Sequence, residues 1–159
     1  MEGNSRVKVT NDNGVIISQE TIKQSDEKKR QHRTLRQTQV YRDMSNLKYT
    51  IVRLSGTTPR RYAKYFDVML EHVSQAKISL AIGLSDRDLD NRYDNMSYSL
   101  ALTEDIQDDA IILFSLNVIS KKDKKQIRVL AHKVTGQIVR LRDYFGSQGM
   151  DVLGKTNNG

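Results

Sequence analysis

Histidines and paired carboxylates are the residues of this 159-residue sequence whose types could support acid–base or metal chemistry. The histidines, His32, His72 and His132, are far apart in sequence. Each is more simply interpreted as a solvated or helix-capping side chain than as a ligand. Adjacent carboxylates such as Asp108 and Asp109 point about 100° apart on a helix, which favours a solvated face over an acid–base pair. We therefore predict no catalytic residue, no metal site and no cofactor.

Lysine and arginine are the other side chains whose clustering suggests chemistry, because they attract phosphate groups. The net charge is +7. Residues 28–42 carry six basic residues and no acidic one, and residues 121–142 carry eight basic residues against one acidic residue. Further cations follow the single proline. From these clusters we predict a nucleic-acid-binding surface made of Arg60, Arg61, Lys64, Lys121, Lys122, Lys124, Lys125, Arg128, Lys28, Lys29, Arg30, Arg33 and Arg36.

The segment before the last basic cluster is acidic: residues 86–109 carry eight acidic residues against two basic ones. If a short connection makes the third and fourth helices antiparallel neighbours, their charges could complement each other at a modest energetic gain. The alternative is that the remaining cations form a nucleic-acid face. Both interpretations stay open, because eight basic side chains on one helix cannot all point at one neighbour.

Helices must position these side chains, because apolar residues recur in four ladders that step by three and four residues. Four striped helices can bury their stripes only against one another or against a partner. The sequence therefore predicts an all-α protein, an antiparallel up-down-up-down four-helix bundle. Tyr62 and Tyr93 lie on these ladders, so packing explains most of the seven tyrosines better than stacking on bases. The ladders are Val40, Met44, Leu47, Ile51, Leu54; Tyr62, Phe66, Met69, Val73, Ala76, Leu80; Leu89, Tyr93, Met96, Leu100, Thr103, Ile106, Ala110, Leu113; and Ile127, Ala131, Val134, Ile138, Leu141, Phe145.

Capping residues mark the helix boundaries. Proline is favoured at the first helical position, and a hydroxyl three residues ahead of a carboxylate resembles a capping box. Three pairs predict the starts of the second, third and fourth helices: Thr58 with Pro59, Ser85 with Asp88, and Ser120 with Asp123.

Glycines predict the end of the fourth helix, because glycine is common just past a helix end. Gly146 and Gly149 follow the last ladder. We therefore divide the chain into an N-terminal arm and basic lead-in (1–39), the four-helix bundle (40–146) and a flexible C-terminal tail (147–159).

The N-terminal segment has the pattern of a β-hairpin arm. Residues 6–10 alternate polar and apolar, residues 11–14 supply turn residues, and an extended apolar run resumes at residues 15–17. A lone hairpin is marginal in water, so we expect the arm to be disordered or ordered by a partner. Residues 19–36 lack an apolar stripe and are interpreted as a solvated helix extension or a flexible lead-in.

The composition also bears on the compartment. The sequence has no cysteine, which excludes disulfides and thiolate chemistry. No apolar run approaches the roughly 20 residues that span a bilayer, and the first ten residues are too polar for a secretory signal. We expect a cytoplasmic protein without a membrane-spanning segment.

Three local patterns carry a resemblance to a known family. The second helix opens with Pro-Arg-Arg-Tyr at residues 59–62, and the third ends in an apolar run at residues 110–114. A short connection, residues 116–120, leads to the fourth helix, in which Gly136 lies among apolar residues. Over residues 42–146 the chain resembles the small four-helix-bundle family of proteins encoded in 23S ribosomal RNA intervening sequences and the accessory variability protein of diversity-generating retroelements.

The resemblance implies a basic bundle that assembles as a homo-oligomer, a ring of five, and binds nucleic acid and a reverse transcriptase. Residues 1–39 depart from the family's pattern. Gly136 by itself indicates a site where a backbone or large side chain packs close, since glycine costs about 1 kcal/mol relative to alanine inside a helix.

A helix-turn-helix is an alternative for residues 75–93, with Gly83 in the turn. Its recognition helix would direct Asp86, Asp88 and Asp90 at DNA phosphates, which electrostatics disfavours. We therefore favour an oligomeric, non-catalytic retroelement accessory protein that binds nucleic acid, RNA in preference, without strong sequence readout. The second hypothesis is a scaffolding subunit that assembles through its N-terminal arm, and a helix-turn-helix regulator is the third.

Overall fold

The computed structural model describes residues 9–10, 16–17 and 38–156 of the chain. The chain divides into two units, Met1–Arg36 and Gln37–Gly159. The described part of the second unit consists mainly of helices, and a 3₁₀ turn, Arg60–Tyr62, precedes the second of them. The helices are α1 (Gln39–Thr57), α2 (Ala63–Ser85), α3 (Leu89–Ser115) and α4 (Lys121–Thr156).

The predicted apolar ladders form the core of the bundle, so the predicted all-α four-helix bundle is confirmed. Each helix contributes fully buried side chains, among them Met44 in α1, Phe66 in α2, Ile106 in α3 and Ile138 in α4. Tyr93 departs from the pattern, since 41% of its surface is exposed. The prediction that Tyr93 packs as a core side chain is therefore wrong.

The helices pack in a closed cycle of antiparallel neighbours: α1 lies against α2 and α4, and α3 lies against α2 and α4. Between α2 and α3, His72 lies opposite Asp109 and Ala76 opposite Ser99, so residue numbers rise along one helix as they fall along the other. The starts of α2 and α4 therefore lie at the same end of the bundle, together with the ends of α1 and α3.

The predicted start of the second helix is wrong in detail. The hydroxyl of Thr58 donates to the carbonyl of Leu54, so this side chain caps the end of α1. Pro59 has extended backbone, and α2 begins only at Ala63, after the 3₁₀ turn. The residue before a proline is driven out of the helical region, which explains why α1 stops here.

The start of α3 lies three residues later than predicted. The hydroxyl of Ser85 donates to the carbonyl of Ala81 and so belongs to the last turn of α2. Asp88 is the N-cap of α3, since its carboxylate accepts the backbone N–H of Asn91 at 3.0 Å. Carboxylates and hydroxyls cap helices about equally well, and here the preceding turn already engages the hydroxyl.

Residues 75–93 do not form a helix-turn-helix. Gly83 lies inside α2, and its Cα faces Met96 of α3 so closely that an added Cβ would stand 2.7 Å from the Met96 methyl carbon. A helix-turn-helix crosses two short helices at a steep angle, whereas α2 and α3 are long and stay in contact from Gly83 back to His72. The segment is an ordinary helical hairpin.

The connection between α3 and α4 is a Schellman turn. Asn117 has φ of 57°, in the left-handed region that asparagine tolerates. The N–H of Val118 donates to the carbonyl of Leu113, and both side chains are buried. The predicted start of α4 is confirmed, because the Ser120 hydroxyl accepts the N–H of Asp123 and donates to its carboxylate.

The predicted end of the fourth helix is wrong. The helix α4 continues past Gly146 and Gly149 to Thr156, so the segment predicted as a flexible tail is helical up to that residue, and residues 157–159 lie outside the described part of the chain. Gly146 has a packing role instead: a Cβ there would lie 3.3 Å from the Tyr93 ring. A glycine weakens a helix by about 1 kcal/mol, but the helix continues through it when the residues on either side pack against a neighbouring element.

Gly136 does not mark a close approach, so that interpretation is wrong. A Cβ added to Gly136 would meet nothing within 4 Å. The close approach belongs to Gly83, whose neighbours on α3 include the carbonyl oxygen of Arg92 at 3.3 Å from the added Cβ position.

The predicted hairpin pairing is present in the first unit. Strand β1 (Val9–Thr10) pairs antiparallel with β2 (Ile16–Ile17), with Val9 opposite Ile17. The predicted turn between them and the basic lead-in lie outside the described residues.

Candidate nucleic-acid interface

The two predicted cation clusters of the bundle lie at the same end, at the starts of two helices that are diagonal in the bundle, α2 and α4. We call this surface the basic end and define it by seven residues at the starts of α2 and α4. Helix starts carry unpaired backbone N–H groups and a positive dipole end, which add to the attraction for anions. The residues are Arg60, Arg61, Lys64, Lys121, Lys122, Lys124 and Lys125.

On the α2 side of the basic end, cations alternate with aromatic rings. The guanidinium carbon of Arg61 lies 4.8 Å from the centroid of the Tyr62 ring, and the ammonium of Lys64 lies 5.3 Å from that of Tyr65. The two ring centroids are 6.2 Å apart, and 41% of Tyr65 is exposed. Such a surface can contact both phosphates and unstacked bases.

On the α4 side, the helix start is fixed by its capping box and one aromatic contact. The ammonium of Lys124 lies 4.1 Å from the centroid of the Phe114 ring, which holds this side chain against the end of α3. Lys121, Lys122 and Lys125 are exposed. The first turns of α4 thus present one ordered and three freely projecting ammonium groups.

A groove runs between α3 and α4 beside these lysines. It has a volume of about 460 Å³, and we call it the α3–α4 groove. The cationic wall of the groove continues from the basic end along α4 and includes Arg128. The residues that line it are Gln107, Lys121, Lys124, Lys125, Arg128, Val129 and His132.

Sequence reasoning missed three residues of this groove: Gln107, Val129 and His132. His132 was predicted to be a solvated side chain; it is exposed, but it also lines the groove. A signal was present, since Lys125, Arg128, Val129 and His132 are spaced by three and four residues and so share one helix face. Gln107 is on another helix, and only the packing of α3 against α4 reveals it.

The cations of α4 are not neutralised inside the bundle. Of the eight basic residues between positions 121 and 142, only two form ion pairs with described residues: Lys133 with Asp43 of α1 at 3.2 Å, and Arg142 with its neighbour Asp143 at 3.3 Å. Neither pair involves a carboxylate of α3. Among the described residues, no close ion pair therefore joins α3 to α4, and charge complementarity of the two helices stays a prediction.

The antiparallel arrangement explains this result. The carboxylates between Asp86 and Asp94 are at the start of α3, whereas the first turns of α4 lie beside the end of α3. There the chain from residue 110 to 119 carries no charged side chain. The lysines between residues 121 and 125 consequently form no close ion pair with a carboxylate of α3.

Five predicted site residues cannot be placed on this surface. Lys28, Lys29, Arg30, Arg33 and Arg36 all lie outside the described residues. The other eight predicted residues are described, and seven of them form the basic end, while Arg128 lies one helical turn further along α4.

Two carboxylates elsewhere are engaged between helices. Asp109 of α3 lies 2.6 Å from Nδ1 of His72 of α2, so both the solvated role predicted for His72 and the solvated face predicted for Asp109 are wrong. Burial raises the pKa of Asp109, and its contact with His72 opposes that rise. This pair lies within the α2–α3 seam and lines neither the basic end nor the groove.

Asp43 is the most buried carboxylate of α1, with 5% of its surface exposed. Burial disfavours its ionisation, but hydrogen bonds from Gln137, Gln39 and Lys133 outweigh burial and lower its pKa. The donors lie at 2.8 Å, 3.0 Å and 3.2 Å. Asp43 and its three donors join α1 to α4, so stabilisation of the bundle explains this buried carboxylate.

Two further searches concern metals and membranes. Within the described part of the chain, no group of three or more histidine and carboxylate side chains is arranged to hold a metal ion. Among the same residues, none of the helices combines the length and apolar character that crossing a membrane requires.

Comparison of the sequence with protein-family models and with curated proteins finds no match in either set. The resemblance to the four-helix-bundle family described above therefore stays a prediction.

Proposed function

We propose that this protein is a non-catalytic accessory protein that binds nucleic acid, with RNA favoured, through its basic end. Binding rests on phosphate contacts, which supply affinity without reading sequence. The exposed ring of Tyr65 beside Lys64, and the half-buried ring of Tyr62 beside Arg61, add base stacking where bases are accessible.

The observation that carries the proposal is the set of unpaired cations at the start of α4. A helix that evolves only for packing has no need for five cations within eight residues (121–128) that form no ion pair with any described residue. Clustered like charges repel one another and reduce stability, so a polyanionic partner is the simplest physical reason for keeping them.

Assembly and a protein partner belong to the same proposal, and they derive from the family resemblance. A ring of five bundles would repeat the basic end around one axis and multiply weak phosphate contacts. A reverse transcriptase is the proposed protein partner, and the cytoplasm is the proposed compartment.

The test is a charge reversal at the basic end with a matched control. The first variant changes Arg60, Lys121 and Lys125 to glutamate. The control changes Arg42, Lys48 and Arg140 to glutamate, which alters the net charge equally at sites outside the basic end. Fluorescence anisotropy measures the binding of a labelled single-stranded RNA across a range of salt concentrations.

We expect the first variant to lose affinity for all RNA sequences alike. The slope of its salt dependence should be flatter by about 0.7 for each phosphate of a single strand that the variant no longer neutralises. The control should keep most of the wild-type affinity and slope. Equal effects of the two variants would show only a response to net charge and would contradict a localised site. Unchanged binding in both would favour the scaffolding hypothesis, in which the paired strands of the N-terminal arm join subunits.

A further inference from the structure

The α3–α4 groove has a shape that phosphate binding alone does not explain. Phosphates can be held on a flat surface by projecting cations. A concave site of about 460 Å³ is instead within the range of small-molecule sites, roughly 300–1,000 Å³. The groove can therefore enclose a ligand the size of one nucleotide.

The lining of the groove defines the ligand's chemistry. Four basic side chains of α4 form one wall of the groove: Lys121, Lys124, Lys125 and Arg128. No carboxylate lines it within the part of the chain that the structure describes. The preferred ligand is thus anionic.

The opposite wall and the far end of the groove carry uncharged polar groups and an apolar side chain. Gln107 projects from α3 with an amide that can both donate and accept, and it forms no side-chain hydrogen bond with the described residues. The imidazole of His132 and the exposed side chain of Val129 offer a flat ring and an apolar contact. A heteroaromatic base can form hydrogen bonds along its edge with the amide of Gln107 and can stack on the ring of His132.

We propose that the α3–α4 groove holds one unpaired nucleotide, with its base against Gln107 and His132 and its phosphates on the lysines and Arg128. The consequence is selectivity for single-stranded over duplex nucleic acid, because a paired base cannot leave its stack without a cost. This inference rests on the proposed function, since it specifies which form of nucleic acid the basic end takes.

The experiment fills the groove without changing charge. Val129→Trp adds a large ring inside the groove, and Gln126→Trp adds the same ring to an exposed position of α4 that does not line it. The probes are a labelled single strand, a duplex of the same length, and an abasic strand that keeps the phosphates and lacks the bases. Circular dichroism checks that both variants keep the helical content of the wild type.

We expect the wild type to bind the single strand more tightly than the abasic strand by roughly tenfold, the scale of one base contact. Val129→Trp should reduce this difference to the part that the tyrosines of the basic end supply and leave duplex binding and its salt slope unchanged, whereas Gln126→Trp should behave as the wild type. Gln107→Ala should reduce the same difference, since it removes the edge hydrogen bonds and leaves the cations in place.

The outcomes separate this inference from the proposed function. A wild type that binds neither strand nor duplex contradicts the proposed function itself. A wild type that binds the abasic and normal strands equally, or a Val129→Trp variant that keeps full selectivity, overturns the groove assignment while nucleic-acid binding stands.

Discussion

His72 Nδ1 lies 2.6 Å from a carboxylate oxygen of Asp109, and this contact joins the middle of α2 to the last third of α3. The side chains are 26% and 15% exposed, so water only partly screens the pair. The two residues are 37 positions apart in sequence. Neither belongs to an apolar ladder, and the seam between α2 and α3 therefore includes a polar contact beside its apolar core.

A double-mutant cycle should show that His72 and Asp109 stabilise the bundle as a pair. We expect His72→Ala and Asp109→Ala each to lower the free energy of unfolding, with a coupling energy of about 1 kcal/mol, because a hydrogen bond to a charged group exceeds a neutral one. Urea unfolding of the single and double variants measures it. His132→Ala is the control, since its ring is exposed and bonds to no described residue. Strictly additive effects would show that the two side chains do not interact.

The pH dependence of stability should have opposite signs at Asp43 and Asp109. Hydrogen bonds from Gln137, Gln39 and Lys133 lower the pKa of Asp43 despite its burial. Its contribution is therefore complete above the ordinary aspartate pKa and is lost as the pH falls through the lowered folded value. Burial raises the pKa of Asp109, so its contribution is complete below the ordinary pKa and is lost as the pH rises through the raised folded value.

Asparagine variants test these signs in urea unfolding at a series of pH values. Asp43→Asn should destabilise the protein by about 2 kcal/mol near neutral pH, and this cost should shrink on acidification. The cost of Asp109→Asn should change in the other direction and shrink as the pH rises. If both costs fall together on acidification, the assignment of the Asp109 environment is wrong. Neighbouring Asp105 and Asp108 add to the rise at Asp109, so they remain unchanged in both variants.

The fold was largely predictable because its main determinant is local and periodic. Apolar ladders such as Val40 to Ile51 indicate which face of a helix is buried, and they do so whichever element that face packs against. Boundaries were less predictable, since Thr58 and Ser85 can cap either the helix that ends or the helix that begins. Only the tertiary structure decides, and here both hydroxyls bond back to the preceding helix.

The candidate site was predictable only in part, for a related reason. Cations at Lys121 to Arg128 are visible in the sequence, and the helix order places them at the same end as Arg60 and Arg61. The groove depends on α3 contributing Gln107 opposite His132, and no sequence spacing encodes a contact between helices. Gly136 was predicted to mark a close approach that belongs instead to Gly83, because the sequence does not show whether a neighbouring helix contacts a helical glycine.

Alanine substitutions at these two glycines should give different results. Gly136→Ala should raise the free energy of unfolding by about 1 kcal/mol, because alanine is the better helix former and its Cβ meets nothing within 4 Å. Gly83→Ala places its Cβ 2.7 Å from Met96 and 3.3 Å from the carbonyl oxygen of Arg92. The methionine can rotate away but the backbone cannot, so overpacking should cancel or exceed the propensity gain. Thermal unfolding of both variants measures the difference, and an equal gain in both would show that the α2–α3 seam has room at Gly83.

Removal of residues 1–36 should separate the contribution of the N-terminal cations to RNA binding from that of the basic end. The described core side chains all come from Val40 onward, so we expect the truncated chain to keep its helical circular dichroism and its cooperative unfolding.

The deletion also removes Lys28, Lys29, Arg30, Arg33 and Arg36. If the basic end is the principal interface, RNA binding should weaken only modestly, with a smaller salt slope, and single-strand selectivity should persist because the groove is intact. A control that restores only the five clustered cations, the same truncation fused to an unrelated linker that carries five lysines, should restore the slope without changing selectivity. Loss of all RNA binding in a truncated protein that is still folded would instead place the interface in the N-terminal segment.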